Sequence, residues 1–141
     1  MSLLLTAAML LAVPECPVPY TTGFSNTWGA PRSEGRQHLG TDMFADYPTF
    51  IVAPEPGRVR FGTARLGGNV VRLTADTGRY YYFAHLLAVP DLHLTQGERV
   101  LAGRVIGFIG SSGNANQPHL HIEVHIDGQP ANPYWWLDDA C

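Results

Sequence analysis

Alternation of polar and aliphatic residues is strictest near the C-terminus, where the chain reads PHLHIEVHID from Pro118 to Asp127. Successive side chains of a β-strand point to opposite faces, so this pattern predicts a strand with one buried face. The aliphatic residues Leu120, Ile122, Val124 and Ile126 would face the core. The other face would present His119, His121, Glu123 and His125. Such a face can converge on a metal ion or a ligand, or it can be a solvated surface that is rich in histidine.

Shorter apolar runs separated by turn residues fill the chain from residue 49 onward. They predict strands at Thr49–Ala53, Arg58–Gly62, Asn69–Thr74, Tyr80–Leu87, Val105–Ile109 and Leu120–Ile126. Short strands with regular glycine and proline turns predict an all-β sheet, sandwich or barrel. We expect no long amphipathic helix after Val13. At 141 residues the chain is long enough for one domain with its own core.

The first residues form an apolar run, SLLLTAAMLLAV from Ser2 to Val13. The run is too short to span a bilayer. It resembles the apolar part of a secretory leader, but no basic residue precedes it and no clear small-residue cleavage site follows. We therefore expect a helix that packs on the domain, binds a protein partner or mediates self-association.

Composition excludes some functions. The net charge of −3 gives no argument for nucleic acid or for an anionic membrane surface. The turns Ala53–Val59 and Gln96–Gly103 resemble those of biotinyl and lipoyl carrier domains, which carry their cofactor on a lysine. All nine basic residues here are arginines, so the carrier function is excluded while a related sheet topology stays open.

The two cysteines, Cys16 and Cys141, lie near opposite ends of the chain. In a cytosolic protein they would be two isolated thiols, whereas in an exported protein they could form a disulfide. Our hypothesis is a bridge that ties the N-terminal segment to the C-terminus.

Candidate metal ligands appear in two places. The segment HLGTD contains His38 and Asp42, whose spacing puts them on one side of either a helix or an extended chain. Alone, this pair could equally be two polar residues on a surface loop. With His121 it makes two imidazoles and one carboxylate, and catalytic zinc sites are built from three such ligands and an open position. Two distant cysteines do not favour a structural thiolate site.

A further histidine lies in YYFAHL, which runs from Tyr81 to Leu86. On a regular strand His85 shares a face with Phe83 and Tyr81, and such a histidine is more often a hydrogen-bonded wall residue than a catalyst. The sequence contains no helical HExxH motif with a glutamate base. Proton transfer in a metal-assisted hydrolysis would therefore fall to a histidine.

Together, HLGTD, FAHL and GSSGNANQPHLHIEV, with APEPGRV and GQPANP, resemble the lysostaphin-type (LytM-like) zinc endopeptidases of bacterial cell walls. The resemblance extends from Phe24 to Leu137. It implies a mainly antiparallel β fold with a groove over the sheet, in a peptidase domain over residues 23–141 after an apolar lead-in over residues 1–22. It also implies an extracytoplasmic location, periplasmic or secreted, and peptidoglycan stem peptides or cross-bridges as substrate.

The resemblance carries roles to five residues. It implies that the ligands of one Zn²⁺ are His38, Asp42 and His121. It implies that His85 and His119 are catalytic without binding the metal, one assisting deprotonation of water and the other stabilising the tetrahedral intermediate. Glu123 is either a group that orients a ligand histidine or an exposed strand acid. We take His93 and His125 as ordinary surface or wall residues.

The sequence departs from the family pattern at two places, of which the second is a loop expected to border the groove. Phe83 stands where the family usually has tyrosine, and Ala115–Pro118 replaces a Ser-Thr-Gly-Pro sequence before the HLH motif. The function implied is a zinc metalloendopeptidase. The alternatives are a non-catalytic regulator or binding module of the same fold, and a signalling module that holds zinc but lacks one catalytic histidine. All five site residues are present, which favours the enzyme.

Overall fold

The computed structural model describes residues 13–88 and 92–141. Within these ranges the chain forms nine β-strands and one short α-helix after a single 3-10 turn at Ser33–Gly35. The strands are β1 (Thr41–Phe44), β2 (Phe50–Val52), β3 (Gly57–Ala64), β4 (Gly68–Ala75), β5 (Tyr80–Leu86), β6 (Arg99–Val100), β7 (Val105–Phe108), β8 (His119–Ile126) and β9 (Gln129–Ala131). The helix α1 comprises Tyr134–Ala140.

Antiparallel pairing joins every neighbouring pair of strands. The larger sheet of the described residues has the order β1-β8-β5-β4-β3-β6, with β9 also paired to β8. The smaller sheet consists of β2 and β7. The prediction of a mainly β fold with antiparallel sheets is therefore confirmed. All six predicted strands are present, while β1, β6, β9 and α1 were not predicted.

The core lies against one face of the larger sheet and is closed by the smaller one. Alternate residues of β5 and β8 are fully buried there, among them Tyr81, Phe83, Leu120 and Ile122. Ile51 of β2 and Ile106 of β7 belong to the same apolar cluster. The opposite face of the larger sheet is thereby left for polar side chains.

The buried side of β8 ends earlier than predicted. Leu120, Ile122 and Val124 are buried, but Ile126 is 48% exposed, so its predicted place in the core is wrong. The reason is the two-residue turn at Asp127 and Gly128, where both residues have positive φ and the chain reverses into β9. An Asp-Gly pair favours such a hairpin, and this signal could have predicted β9.

The described part of the N-terminal lead-in is built into the domain. Glu15 N donates to the carbonyl of Pro54 at 2.9 Å, and Val52 N donates to Pro17 at the same distance. Val18 is fully buried. The predicted disulfide between Cys16 and Cys141 is confirmed and ties this segment to the end of α1.

The predicted apolar helix lies outside the described residues except for Val13, which is exposed and has no regular secondary structure. Among the described residues, no helix has the length and the apolar character needed to cross a membrane.

The disulfide joins residues 125 positions apart, and a bridge of that span strongly restricts the unfolded chain. We expect the Cys16→Ser/Cys141→Ser double variant to lose about 2–5 kcal/mol of unfolding free energy. Urea unfolding followed by tryptophan fluorescence would measure this. The reduced wild-type protein serves as the control and should match the variant. Identical unfolding midpoints for the oxidised and reduced wild type would contradict the prediction.

Candidate metal centre

Three side chains converge on one point of the polar sheet face. Pairing of β1 with β8 places Asp42 directly opposite His121, and His38 comes from the segment just before β1. The atoms His38 Nε2, Asp42 Oδ1 and His121 Nδ1 lie 3.1 Å from one another in each of the three pairs. The two motifs that were separate in the sequence are thus one cluster.

A glycine makes this approach possible. A Cβ on Gly40 would collide with the carbonyl oxygen of Ile122 and would lie 2.9 Å from Cε1 of His121. Any larger residue at position 40 would therefore push the segment that contains His38 away from the His121 ring on β8. The glycine in HLGTD has a steric reason to be there.

The spacing and chemistry of the three donors suit a small divalent metal ion. Bonds of about 2.0–2.1 Å in a tetrahedral arrangement separate neighbouring ligand atoms by about 3.3 Å, close to the observed spacing. Two imidazole nitrogens and a carboxylate oxygen are donors that zinc accepts. His38 is only 3% exposed, which limits competition from water. This group can hold a metal ion.

The second nitrogen of each histidine in the cluster is held by a hydrogen bond. His38 Nδ1 lies 2.9 Å from Thr27 Oγ1 and 3.2 Å from the Thr27 carbonyl, so donation to Thr27 leaves Nε2 free for a metal. His121 donates Nε2–H to Glu123 Oε1 at 2.9 Å, which leaves Nδ1 free. Such partners fix the tautomer and the ring orientation of metal ligands.

Glu123 is shared between two histidines. Its Oε2 accepts a hydrogen bond from His125 Nε2 at 2.8 Å, while its Oε1 accepts the one from His121. The interpretation of Glu123 as a group that orients a ligand histidine fits these contacts, and the alternative of an exposed strand acid is wrong because its side chain is 19% exposed. His125 is a groove-wall residue, as expected.

The carboxylates draw positive charge to the cluster. Burial raises the pKa of Asp42, but hydrogen bonds from His121 and His38 outweigh burial and bring this pKa well below its usual range. Burial lowers the pKa of His121, but the hydrogen bonds to Asp42 and Glu123 outweigh it and raise the pKa to about 9. Without a metal ion, the cluster therefore favours an additional proton on His121. A bound cation would displace that proton.

His85 reaches the same face through an irregularity of β5. Between the pairs Asn69–Leu86 and Val71–Phe83, two residues of β5 lie opposite one residue of β4. His85 is one of these two and has a φ of 66°. Such a bulge re-aims a side chain. The prediction that His85 shares a face with Tyr81 and Phe83 is wrong, since those two rings are in the core and His85 lines the groove.

The rings of His85 and His119 lie side by side near the cluster. Their centroids are 4.8 Å apart, and His119 Nε2 is 3.7 Å from Asp42 Oδ1. His85 Nδ1 donates a hydrogen bond to the carbonyl of Ser112 at 2.8 Å, and His119 Nδ1 donates one to the carbonyl of Gln117 at 2.9 Å. Each ring therefore keeps Nε2 available. Burial lowers the pKa of His85, which favours its neutral form.

Two glycines hold the loop that supports His85. Gly68 and Gly113 both have positive φ, and a Cβ on either one would collide with the backbone of the other turn. The turn between β3 and β4 therefore packs directly against the loop that carries Ser112. His85 N also donates to the carbonyl of Gly67 at 2.7 Å. Sequence reasoning did not predict this support.

These side chains lie along a groove of about 980 Å³. Its other walls include residues that were not predicted, among them Arg32, whose Nη2 is 3.5 Å from Asp42 Oδ2. Tyr80, Tyr82 and Arg72 also line it. The groove predicted over the sheet is present. An antiparallel sheet with a two-histidine, one-carboxylate cluster and two further histidines in its groove is typical of a metallopeptidase domain.

Comparison with known proteins identifies the family. Residues 36–133 match the model of Peptidase family M23, and the chain belongs to this family. The fold agrees: the catalytic domain of the antimicrobial peptidase lysostaphin from Staphylococcus simulans superimposes with a TM-score of 0.71 at 26% identity, covering 82% of this chain and 92% of that one. The resemblance to lysostaphin-type peptidases is confirmed.

Related sequences carry peptidase names. The DD-carboxypeptidase/endopeptidase Mpg of Neisseria meningitidis serogroup B is 40% identical over 99 residues, which cover 70% of this chain and 22% of that protein. The L-Ala–D-Glu endopeptidase of Bacillus subtilis is 36% identical over 123 residues, covering 79% of this chain and 37% of that protein. The chain therefore spans only about a fifth to two fifths of the length of these relatives.

The alternating histidines of β8 offer a matched test of the cluster. We expect His121→Ala to abolish metal binding because it removes one of three donors, and His119→Ala to retain one ion per chain. Inductively coupled plasma mass spectrometry after zinc loading and dialysis would measure the content. Equal zinc content in the two variants would show that the cluster is not the binding site.

Glu123 should matter for metal affinity without touching the metal. We expect Glu123→Gln to weaken zinc binding about 10- to 100-fold, because the variant loses the carboxylate that holds the His121 ring. Competition with a fluorescent chelator would measure the affinity. Asp138→Asn removes the same charge from an exposed position of α1 and should leave the affinity unchanged. An unaltered affinity in Glu123→Gln would contradict this role.

Proposed function

We propose that the chain is a zinc metalloendopeptidase that hydrolyses peptide bonds in peptidoglycan stem peptides or cross-bridges. The observation that carries this proposal is the trio of donor atoms at 3.1 Å spacing with two non-ligand histidines beside it. The peptidase names of the relatives support the reaction type. The peptidase domain is proposed to span residues 23–141, with the described part of the lead-in, from residue 13 onward, packed on it.

The residues divide into two roles in this proposal. His38, Asp42 and His121 hold the zinc ion. When bound, zinc polarises the carbonyl of the scissile bond and lowers the pKa of a water molecule, as in other zinc hydrolases. Glu123 holds His121, and Thr27 holds His38, so that the two donor nitrogens stay directed at one point.

His85 and His119 handle protons and developing charge. Both donate Nδ1–H to a backbone carbonyl and present Nε2 to the groove. A neutral Nε2 can accept a proton from the attacking water, and a protonated one can donate to the oxyanion of the tetrahedral intermediate or to the leaving amine. We propose that the pair shares these tasks, one ring acting as base and the other as donor.

The disulfide bears on the location of the protein, and the names of the relatives bear on the peptide bond that it cleaves. We propose an extracytoplasmic location because a disulfide persists in an oxidising environment. The names of the two relatives describe different peptide bonds, so family membership alone leaves the bond open. The apolar N-terminal run is proposed to bind a protein partner or a second copy of the chain.

A digest of purified peptidoglycan tests the function. We expect the zinc-loaded protein to release new peptide ends from sacculi, and mass spectrometry of the fragments to identify the bond. His85→Ala should reduce the rate by about 10²–10⁴-fold, because a positioned proton acceptor or donor is lost, while zinc stays bound.

His93→Ala is the matched control, since His93 is exposed and does not line the groove. It should cleave as well as the wild type. If zinc binds stoichiometrically but sacculi with different cross-bridges all remain intact, the chain is a binding or regulatory module and the proposal fails. Loss of zinc in His85→Ala would overturn the assignment of His85 as a non-ligand residue.

A further inference from the structure

The groove carries excess positive charge although the chain is acidic. The net charge of the chain is −3, yet the described lining of the groove has three arginines, Arg32, Arg36 and Arg72, and only two carboxylates, Asp42 and Glu123. Both carboxylates are already engaged by histidines. A bound divalent cation would add to the imbalance. The groove is therefore suited to an anionic ligand.

Arg72 differs from the other two arginines in having no acidic partner among the residues that the structure describes. Arg32 approaches Asp42, and Arg36 lies 4.0 Å from Glu34. Across residues 13–88 and 92–141, no carboxylate forms an ion pair with Arg72. Its guanidinium carbon instead lies 5.5 Å from the centroid of the Tyr82 ring. Stacking on an aromatic face orients the planar guanidinium and leaves its N–H donors available at the edge.

A second arginine on the neighbouring strand repels the positive charge of Arg72. Arg60 of β3 lies directly opposite Arg72 of β4 in the pairing register. Like charges directly opposite each other on an antiparallel pair destabilise it. Within the described ranges Arg60 has no ion-pair partner either. A bound anion would offset a repulsion that the sheet itself leaves uncompensated.

The register also sets the distance from Arg72 to the metal cluster. Arg72 pairs with Tyr82, which pairs with Glu123, two residues along β8 from His121. Two strand spacings across and two residues along place the Cα atoms of Arg72 and His121 about 12 Å apart. An extended peptide covers that distance in about three to four residues. A substrate with its scissile bond at the cluster could therefore place a carboxylate beside Arg72.

We propose that Arg72, stacked on Tyr82, is a carboxylate-binding subsite, and that the substrate is an acidic stem peptide with a free carboxylate rather than an uncharged glycine bridge. The identity of the substrate rests on the proposed function. Arginine matches the geometry of a carboxylate through two parallel hydrogen bonds, so the subsite distinguishes a free carboxylate from its amide.

Binding of defined peptides tests the subsite directly. The protein is zinc-loaded His85→Ala, in which turnover is expected to be slowed about 10²–10⁴-fold so that binding can be measured. The probes are the stem peptide L-Ala–γ-D-Glu–diaminopimelate–D-Ala with free carboxylates, versions with each carboxylate amidated singly, and pentaglycine. We expect calorimetry at low salt to give about tenfold tighter binding of the free acid than of one of the amides, because a charge-assisted hydrogen bond is lost. Pentaglycine should bind more weakly than the free acid.

Two arginine variants in the same background localise the effect. Arg72→Gln should remove the preference for the free acid. Arg60→Gln removes an identical charge from the same sheet face one strand further out, where the side chain does not line the groove, and should retain the preference. Equal binding of the acid and every amide, or equal loss in both variants, would overturn the subsite.

Cleavage with His85 intact separates the two proposals. If the acidic and amidated peptides are cut at equal rates, the subsite is wrong and the peptidase function stands. If none of the peptides or sacculi is cut while the binding preference depends on Arg72, the peptidase function is wrong and the subsite stands as a binding site.

Discussion

The pairing of β1 with β8 is the constraint on which the site depends. It brings Asp42 beside His121 from positions 79 residues apart in the chain. The segment that precedes β1 passes so close to the His121 ring and to the carbonyl of Ile122 that only a glycine fits at position 40. His38 then completes the cluster. A shift of one residue in this register would turn Asp42 to the other face of the sheet and separate the donors.

The sequence predicted the face of β8 well because strict alternation has a single structural meaning. The ligand set followed from donor chemistry and from the family resemblance. The side of the sheet that His85 faces could not be predicted, because it depends on a β-bulge in the pairing of β5 with β4. No local sequence pattern marks where such a bulge places its additional residue. Thr27 was missed for a similar reason: it reaches His38 from a loop, across eleven residues, through tertiary packing alone.

Each of the four histidines in the site has one nitrogen committed to a fixed acceptor. His38, His85 and His119 use Nδ1 toward a residue outside the sheet, whereas His121 uses Nε2 toward Glu123. Each ring therefore presents one defined nitrogen to the groove. Because the ring orientations are set before any ligand arrives, little rearrangement of the rings is needed when a metal or a peptide binds.

The charges of the groove follow a consistent division. Among the described residues of the groove, the carboxylates lie in the candidate metal cluster and its support, where histidines surround them and their charge favours a cation. Arg32 approaches Asp42 and Arg36 approaches Glu34, whereas Arg72 is placed over an aromatic ring rather than against an acid. Because Arg72 has no acidic partner among the described residues, its position suits a ligand that supplies negative charge, as proposed for the subsite.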